Sequence, residues 1–248
     1  MDATLSPLVQ MQFLRPPQFE AAARAFPVAY VPIGLIEWHG EHLPLGTDAL
    51  KAHALLVKCA EKYGGLVYPP VYFPTSTYAE GEFQEVDEEH KVPIFTDLFK
   101  SLKETGFRVI IAVSGHNTQE QLKMIEYALE PVTRDGTVAG VGLWEVSLNR
   151  SDDVGTDHAA KWETSDMMFF YPELVELNDL DVPTDKLFQG GIDGIDPRKG
   201  ASSEVGQRKA ELVVGAIGQK AKELLFSLPA EHRNFNLSSL DPRYWWQI

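Results

Sequence analysis

An apolar run over residues 28–36 ends directly in a segment crowded with potential metal ligands. The run, VAYVPIGLI, has the length and composition of a buried strand. Five candidate ligands follow it within twelve residues: Glu37, His39, Glu41, His42 and Asp48. Because side chains repeat every two residues along a strand, a strand that continues here presents Glu37 and His39 on one face. Such oxygen and nitrogen donors favour zinc, manganese or iron, although spacing alone also fits solvated loop residues.

Strand-like and helix-like segments alternate along the rest of the chain. The β-branched run 107–113, FRVIIAV, predicts a central strand that is covered on both faces. It is followed by His116 and then by a helical pattern over residues 119–129, so His116 lies where open parallel sheets bind ligands. The alternation predicts a three-layer α/β/α fold with a mostly parallel central sheet. A chain of 248 residues is long enough to form one such domain over residues 1–248.

Four segments, taken together, resemble the signatures of the creatininase (creatinine amidohydrolase) family. EWHGEHLPLGTD resembles its ligand-bearing Glu-x-His-Gly-x-His-Leu-Pro-x-x-x-Asp segment, and AVSGHN resembles its Asn-Gly-His motif. DHAAKWETS resembles the family's His-small-Gly-x-x-Glu-Thr-Ser segment, and DPRKGASSEVG resembles a motif near its carboxyl terminus. The segments occur in the family's order over roughly residues 28–225. The resemblance implies a creatininase-like fold.

The resemblance also implies a centre of two divalent metal ions, with zinc as the first candidate and manganese or iron as alternatives. The ligands that it implies are Glu37, His39, Asp48, His116 and Glu163. Asp48 is the candidate for the carboxylate that bridges the two ions. The role of Glu163 is open: it is a ligand of the second ion, a partner that holds a ligand, or a carboxylate favoured by a helix amino terminus.

Two neighbouring residues are implied as catalytic. His158 aligns with the general acid/base, which protonates the amide nitrogen as it leaves. Asp157 precedes it and is expected to orient it.

Three further residues are expected at the substrate. Trp144 aligns with a substrate-facing tryptophan, although a core position fits the sequence equally well. Asn117 and Thr118 follow the motif histidine, where most family members have glycines and the family's name-giving enzyme has a metal-binding glutamate. Since Thr118 cannot replace that carboxylate, the second metal site is either completed by Glu163 and water or weak. The substrate pocket is expected to differ as well.

The function that follows is a metal-dependent amidohydrolase. It cleaves a C–N bond of a small cyclic amide or formamide, resembling creatinine, by means of a metal-bound hydroxide. One alternative is a metal-dependent isomerase or lyase that acts on a small polar substrate. The other is a catalytically silent metal-binding scaffold, because the loop after His116 departs from the family pattern.

Composition restricts the partners and the location. The formal net charge of −14 argues against a nucleic-acid partner, and no apolar run approaches the roughly 20 residues that span a bilayer. Cys59 is the single cysteine and no secretory signal is recognisable, so a cytoplasmic location is expected. The resemblance implies a homo-oligomer, specifically a hexamer. An acidic stretch over residues 74–92 is read as a solvated loop, an active-site loop or a subunit contact. The tail 227–248 is expected to dock on the domain or on a neighbouring subunit.

Overall fold

A parallel β-sheet forms the centre of the protein. The computed structural model describes residues 1–72, 88–149 and 151–236. The strands in these ranges are β1 (Val28–Gly34), β2 (Leu66–Val67), β3 (Val71–Tyr72), β4 (Val109–Ser114) and β5 (Ala139–Trp144). Their order is β2-β1-β4-β5, β3 also lies beside β1, and all of these pairings are parallel.

Helices cover both faces of this sheet. They are α1 (Pro16–Ala25), α2 (Thr47–Tyr63), α3 (Glu88–Thr105), α4 (Gln119–Thr133), α5 (Lys161–Phe170), α6 (Pro197–Gly200) and α7 (Ser203–Ser227). α2, α5 and α7 pack on one face, and α1, α3 and α4 pack on the other. The three-layer α/β/α fold expected from the sequence is therefore confirmed.

Alternate residues of the two central strands enter opposite cores. In β1, Val28 and Tyr30 join the core beneath α2 and α7, while Ala29 and Val31 join the core beneath α3 and α4. β4 shows the same alternation, and all six of its residues are buried. This is why the central strands are apolar throughout rather than at every second position.

Two apolar runs form less strand than their length allows. β1 ends at Gly34, before Ile36, because the chain there passes close to the start of α2: a Cβ on Gly34 would lie 2.2 Å from the Ala49 nitrogen. The largely apolar run over residues 66–72 is split into β2 and β3. Pro69 and Pro70 lie between the two pieces and cannot donate hydrogen bonds to a ladder.

The neighbouring carboxyl ends of β1 and β4 position the site. β2 lies on one side of β1 and β4 lies on the other, so the winding of the sheet reverses between β1 and β4. Such reversals leave a crevice outside the carboxyl ends of the strands, where α/β proteins bind ligands. Glu37 follows β1 and His116 follows β4, which brings both to this crevice.

Two predictions fall partly outside the described residues. Most of the acidic stretch, through residue 87, lies outside them, as do residues 237–248 with their aromatic cluster. In the described part of the tail, Phe235 is buried against Phe107 and Phe19 with ring centroids 5.7 and 6.3 Å away. The docking of the whole tail stays a prediction. None of the described helices has the length and hydropathy needed to cross a bilayer.

Candidate metal centre

The five predicted ligands converge in two overlapping groups of three. Glu37, Asp48 and His116 each offer a ligand atom, and these atoms lie within 4.8 Å of one another. His39, Asp48 and Glu163 form a second group under the same distance limit. Asp48 belongs to both groups, so its two carboxylate oxygens can serve two neighbouring positions.

A short loop delivers Glu37 and His39. The loop closes on itself, because the Glu37 amide donates to the Leu45 carbonyl at 2.9 Å. The Thr47 hydroxyl donates to the Pro44 carbonyl at 2.7 Å, which fixes the turn into α2. Gly40 adopts a φ of +67°, a left-handed conformation that favours glycine. The two ligands therefore converge from a folded loop rather than from alternate positions of a continuing strand.

Asp48 lies in the first turn of α2, against the ends of both central strands. Its Oδ2 accepts a hydrogen bond from the Leu35 amide at 3.4 Å. A Cβ added to Gly115 would lie only 2.0 Å from the Asp48 carbonyl oxygen, and one added to Gly34 would lie 2.6 Å from the Asp48 Cβ. The two glycines allow the helix start to approach the strand ends closely.

His39 has its two ring nitrogens assigned by their neighbours. Its Nδ1 lies 3.0 Å from the Glu37 carbonyl oxygen, which can only accept, so Nδ1 carries the hydrogen. Its Nε2 then faces Asp48 Oδ1 at 3.3 Å and Glu163 Oε2 at 3.4 Å. A neutral imidazole would direct a lone pair at two carboxylates here. The arrangement calls for a positive charge, either a proton on Nε2 or a metal ion among these donors.

His116 repeats this arrangement in the other group. Its Nδ1 lies 3.2 Å from Glu37 Oε2 and 3.4 Å from Asp48 Oδ2, and all three side chains are buried. Buried imidazole and carboxylate donors around a shared aspartate fit transition-metal ions such as zinc or manganese. The two groups can therefore hold a pair of divalent ions.

The pKa values of these residues reflect the surplus of carboxylates. Burial alone lowers the pKa of His39, but Asp48 and Glu163 outweigh it and raise that pKa to about 9. Burial also opposes the charged form of His116, yet Asp48 and Glu37 raise its pKa to about 10. The pKa of Asp48 is held well below its usual range by the two histidines, despite its burial. A metal ion must displace the protons that both imidazoles hold at neutral pH.

Glu163 is fixed through both of its oxygens. Oε1 accepts a hydrogen bond from the Lys51 ammonium, and Oε2 accepts one from the Ala159 amide at 2.7 Å. Ala159 has a φ of +51°, an uncommon conformation for a residue with a side chain. The segment containing it is held by two backbone hydrogen bonds between His158 and Asp193, at 2.8 and 3.0 Å. The unusual backbone is thus secured beside the candidate centre.

A buried charge network lies behind Glu163. Lys51 also lies 3.4 Å from Glu145 Oε1, which accepts a hydrogen bond from Lys209 at 2.8 Å, and Lys209 in turn donates to Asp166 at 2.6 Å. Sequence reasoning missed this network. Its residues in α2, α5 and α7 have both polar and apolar neighbours in the sequence, so no local signal marks them as buried.

The predicted catalytic pair separates into two environments. His158 lies beside the cluster, and one of its ring nitrogens is within 4.8 Å of ligand atoms of Glu37 and His39. Its Nε2 lies 2.9 Å from the Trp38 carbonyl oxygen. Asp157 instead accepts hydrogen bonds from the amides of Trp162 and Glu163 at the start of α5, at 2.8 and 3.2 Å. Burial, followed by the charge of Glu163, raises the pKa of Asp157 to about 6.

The three residues predicted to contact substrate lie together near the carboxyl ends of β4 and β5. The Trp144 indole nitrogen donates to the Thr118 carbonyl at 3.1 Å. The Thr118 hydroxyl accepts from the Gln121 amide at 3.5 Å and caps α4. Asn117 donates from its side chain to the Thr156 hydroxyl. These contacts fix the orientation of the Trp144 ring without assigning it to a substrate.

Comparison with known proteins agrees with this geometry. The family model described as Creatininase, creatinine amidohydrolase, matches residues 12–220, which is more than half of the chain. The chain belongs to the creatininase family. The resemblance stated from the sequence motifs is thereby confirmed, and the creatininase family comprises hydrolases that act on a C–N bond.

Individual creatininases show how far the likeness extends. A creatinine amidohydrolase of Pseudomonas putida is 25% identical over 238 residues, covering 79% of this chain and 89% of the relative. A crystal structure of creatinine amidohydrolase superimposes with a TM-score of 0.73 at 23% identity, covering 87% of this chain and 98% of that one. A creatininase structure described as the manganese form gives a TM-score of 0.69 at 24% identity, with coverage of 87% and 98%.

Proposed function

We propose that this creatininase-family protein hydrolyses the C–N bond of a small cyclic amide or formamide, using two divalent metal ions. The observation that supports it is the overlap of the two ligand groups at Asp48. Glu37, Asp48 and His116 would hold one ion, and His39, Asp48 and Glu163 would hold the other. Zinc is the first candidate and manganese the second, because both suit the donors and known creatininases include zinc and manganese forms.

The protein holds the candidate metal ligands in fixed positions that are shielded from solvent. Two bound divalent ions supply polarisation of an amide carbonyl and a lower pKa for a coordinated water. The loop 37–48 holds Glu37, His39 and Asp48 with their side chains buried away from bulk water. Because every one of the five donors is at least nine-tenths buried, interactions with developing charge are stronger there than in water.

His158 is proposed as the proton donor to the leaving nitrogen. Its Nε2 hydrogen is held by the Trp38 carbonyl, so Nδ1 is the nitrogen that exchanges protons. His158 is partly exposed, and its ring lies beside that of His39 with centroids 4.5 Å apart. Such a position gives access both to the cluster and to solvent protons. A scaffold that only bound metal would not require a histidine with this fixed tautomer.

The substrate is proposed to be flat and small. Trp144 keeps its indole nitrogen bonded to the main chain, so the ring face is the part that can contact a planar cyclic amide. Asn117 precedes Thr118, whose carbonyl accepts the indole hydrogen bond, on the loop after β4. A known mutant creatininase has been solved in complex with creatine, a small molecule of this size class. The homo-oligomer and the cytoplasmic location expected from the sequence stay predictions.

Metal content tests the central claim. We expect about two zinc or manganese ions per chain in the reconstituted protein, measured by elemental analysis after removal of loosely bound metal. Asp48→Asn keeps the shape of the side chain but removes the shared charge, so it should reduce binding at both positions. Hydrolysis of a panel of cyclic amides and formamides should fall in parallel. Equal metal content in Asp48→Asn, or no metal in the wild type, would contradict the proposal.

A further inference from the structure

Glu163 has one oxygen directed into the metal centre and the other directed away from it. Oε2 accepts the Ala159 amide hydrogen at 2.7 Å and lies 3.4 Å from His39 Nε2. Oε1 accepts a hydrogen bond from the Lys51 ammonium. The Lys51 ammonium thus engages Oε1, and Oε2 is the oxygen that faces His39. Oε2 is therefore the oxygen of Glu163 that is placed to bind a metal ion.

Lys51 is itself held on two sides. It lies three residues after Asp48 on α2, so both side chains leave the same helix face. It is fully buried, and its ammonium lies 3.4 Å from Glu145 Oε1 in addition to the Glu163 contact. Lys209 anchors Glu145 from the other direction at 2.8 Å. The ammonium cannot turn towards solvent without leaving two buried carboxylates uncompensated.

The second ligand group depends on Glu163. Among the described residues, the group that contains His39, Asp48 and Glu163 has no further carboxylate within its 4.8 Å limit. Thr118 does not supply a donor there, because its hydroxyl caps α4. A misplaced Glu163 would leave this position with two protein ligands, one of which is shared.

We propose that Lys51 is the positioning residue that fixes Glu163 as a one-oxygen ligand of the second metal ion. This inference rests on the proposed two-metal centre. Helix α2 would then supply both the shared metal ligand, Asp48, and the lysine ammonium that orients Glu163. Lys51 would act through Glu163 only, since a protonated amine has three donors and no lone pair for a metal.

The test is the ratio of the affinities of the two metal positions. Metal-stripped full-length protein is titrated with Zn²⁺ against a chelating indicator, for the wild type, Lys51→Met and Glu163→Gln. Partners of this kind typically change metal affinity by about 10- to 100-fold. We expect Lys51→Met to weaken the second ion by that factor and to leave the first ion unchanged. Glu163→Gln should remove the second ion.

Lys209→Met is the matched control. It removes a second fully buried lysine from the same network, but Lys209 bonds to Glu145 and Asp166 rather than to Glu163. It should lower the urea midpoint of unfolding and leave both metal affinities unchanged. If circular dichroism shows that Lys51→Met is unfolded, Lys51→Gln replaces it, because the amide still hydrogen-bonds but carries no charge.

The outcomes separate this inference from the function on which it rests. Two ions in the wild type, with selectively weaker binding of the second ion in the Lys51 variant, support it. Two ions with unchanged affinities in that variant overturn the role of Lys51 and leave the two-metal centre standing. Loss of the second ion in Lys209→Met as well overturns a specific role for Lys51. One ion or none in the wild type overturns the two-metal centre itself.

Discussion

At the scale of single residues, His158 has one ring nitrogen hydrogen-bonded to the main chain and lies beside the metal centre. Because Nε2 donates to the Trp38 carbonyl, replacing the ring removes a proton carrier with a defined tautomer. We expect His158→Ala to lower turnover by roughly 10²- to 10⁴-fold, the usual contribution of general acid–base catalysis, with metal content unchanged. The measurements are initial rates of amide hydrolysis and elemental analysis of the same preparations.

The same variant decides between two roles for His158. One of its nitrogens also lies within 4.8 Å of donors on Glu37 and His39, as a metal ligand would. Loss of metal from His158→Ala would therefore make it a ligand and contradict its assignment as the proton donor. His232, in the turn Ala230–His232 beyond α7, provides the control: His232→Ala should change neither rate nor metal content.

Sequence reasoning worked best for residues whose chemistry is local. Glu37, His39 and Asp48 lie in one short segment, and the structure brings their donor atoms together. The pairing of Lys51 with Glu163 joins residues 112 positions apart, and that of Lys209 with Glu145 joins residues 64 apart. No periodicity links such positions, because the segments that carry them meet only in the folded protein. The sequence suggests that Asp157 orients His158. In the structure its carboxylate instead accepts hydrogen bonds from the backbone amides at the start of α5.

At the scale of secondary-structure elements, apolar content predicted the strands but not their ends. Residues 107–113 read as a strand buried on both faces, and β4 is buried at each of its six positions. β1 stops at Gly34 because the first turn of α2 approaches it, which is a contact between elements. The limits of a strand depend on such contacts, and the sequence of the strand itself does not contain them.

The close approach of α2 to β4 gives a prediction at this scale. A Cβ on Gly115 would lie 2.0 Å from the Asp48 carbonyl oxygen, so Gly115→Ala must push the start of α2 away from the sheet. Overpacking of this kind typically costs about 1–3 kcal/mol. We expect lower unfolding free energy in urea together with weaker binding at both metal positions, because Asp48 moves.

A second glycine gives the matched control for that variant. Gly215 lies inside α7, and a Cβ there would meet nothing within 4 Å. Gly215→Ala should raise the unfolding free energy by about 0.5–1 kcal/mol, because alanine favours a helix interior over glycine. Its metal binding should match the wild type. If Gly115→Ala retains wild-type metal affinity, the start of α2 does not set the position of Asp48.

At the scale of the whole molecule, the buried cluster makes stability fall with rising pH in the metal-free protein, and bound metal removes this dependence. In the metal-free protein, Asp48 and the neighbouring glutamates raise the pKa of His39 from its usual 6.5 to about 9 and that of His116 to about 10. A group whose pKa is raised by folding contributes its full stabilisation at pH values below its pKa in the unfolded chain. That stabilisation is lost as pH rises through the folded values. The metal-free protein should therefore become less stable between pH 6.5 and 10.

Metal removes this trend, because each ion replaces the protons on His39 and His116 when it binds. Metal affinity should therefore rise over the same interval, and the stability gained from a fixed excess of Zn²⁺ should rise with it. The measurement is urea unfolding of stripped and zinc-loaded protein at pH steps from 6.5 to 10. We expect the two stability curves to diverge as pH increases. Parallel curves would mean that metal binds without displacing these protons, and would contradict the assignment of His39 and His116 as ligands.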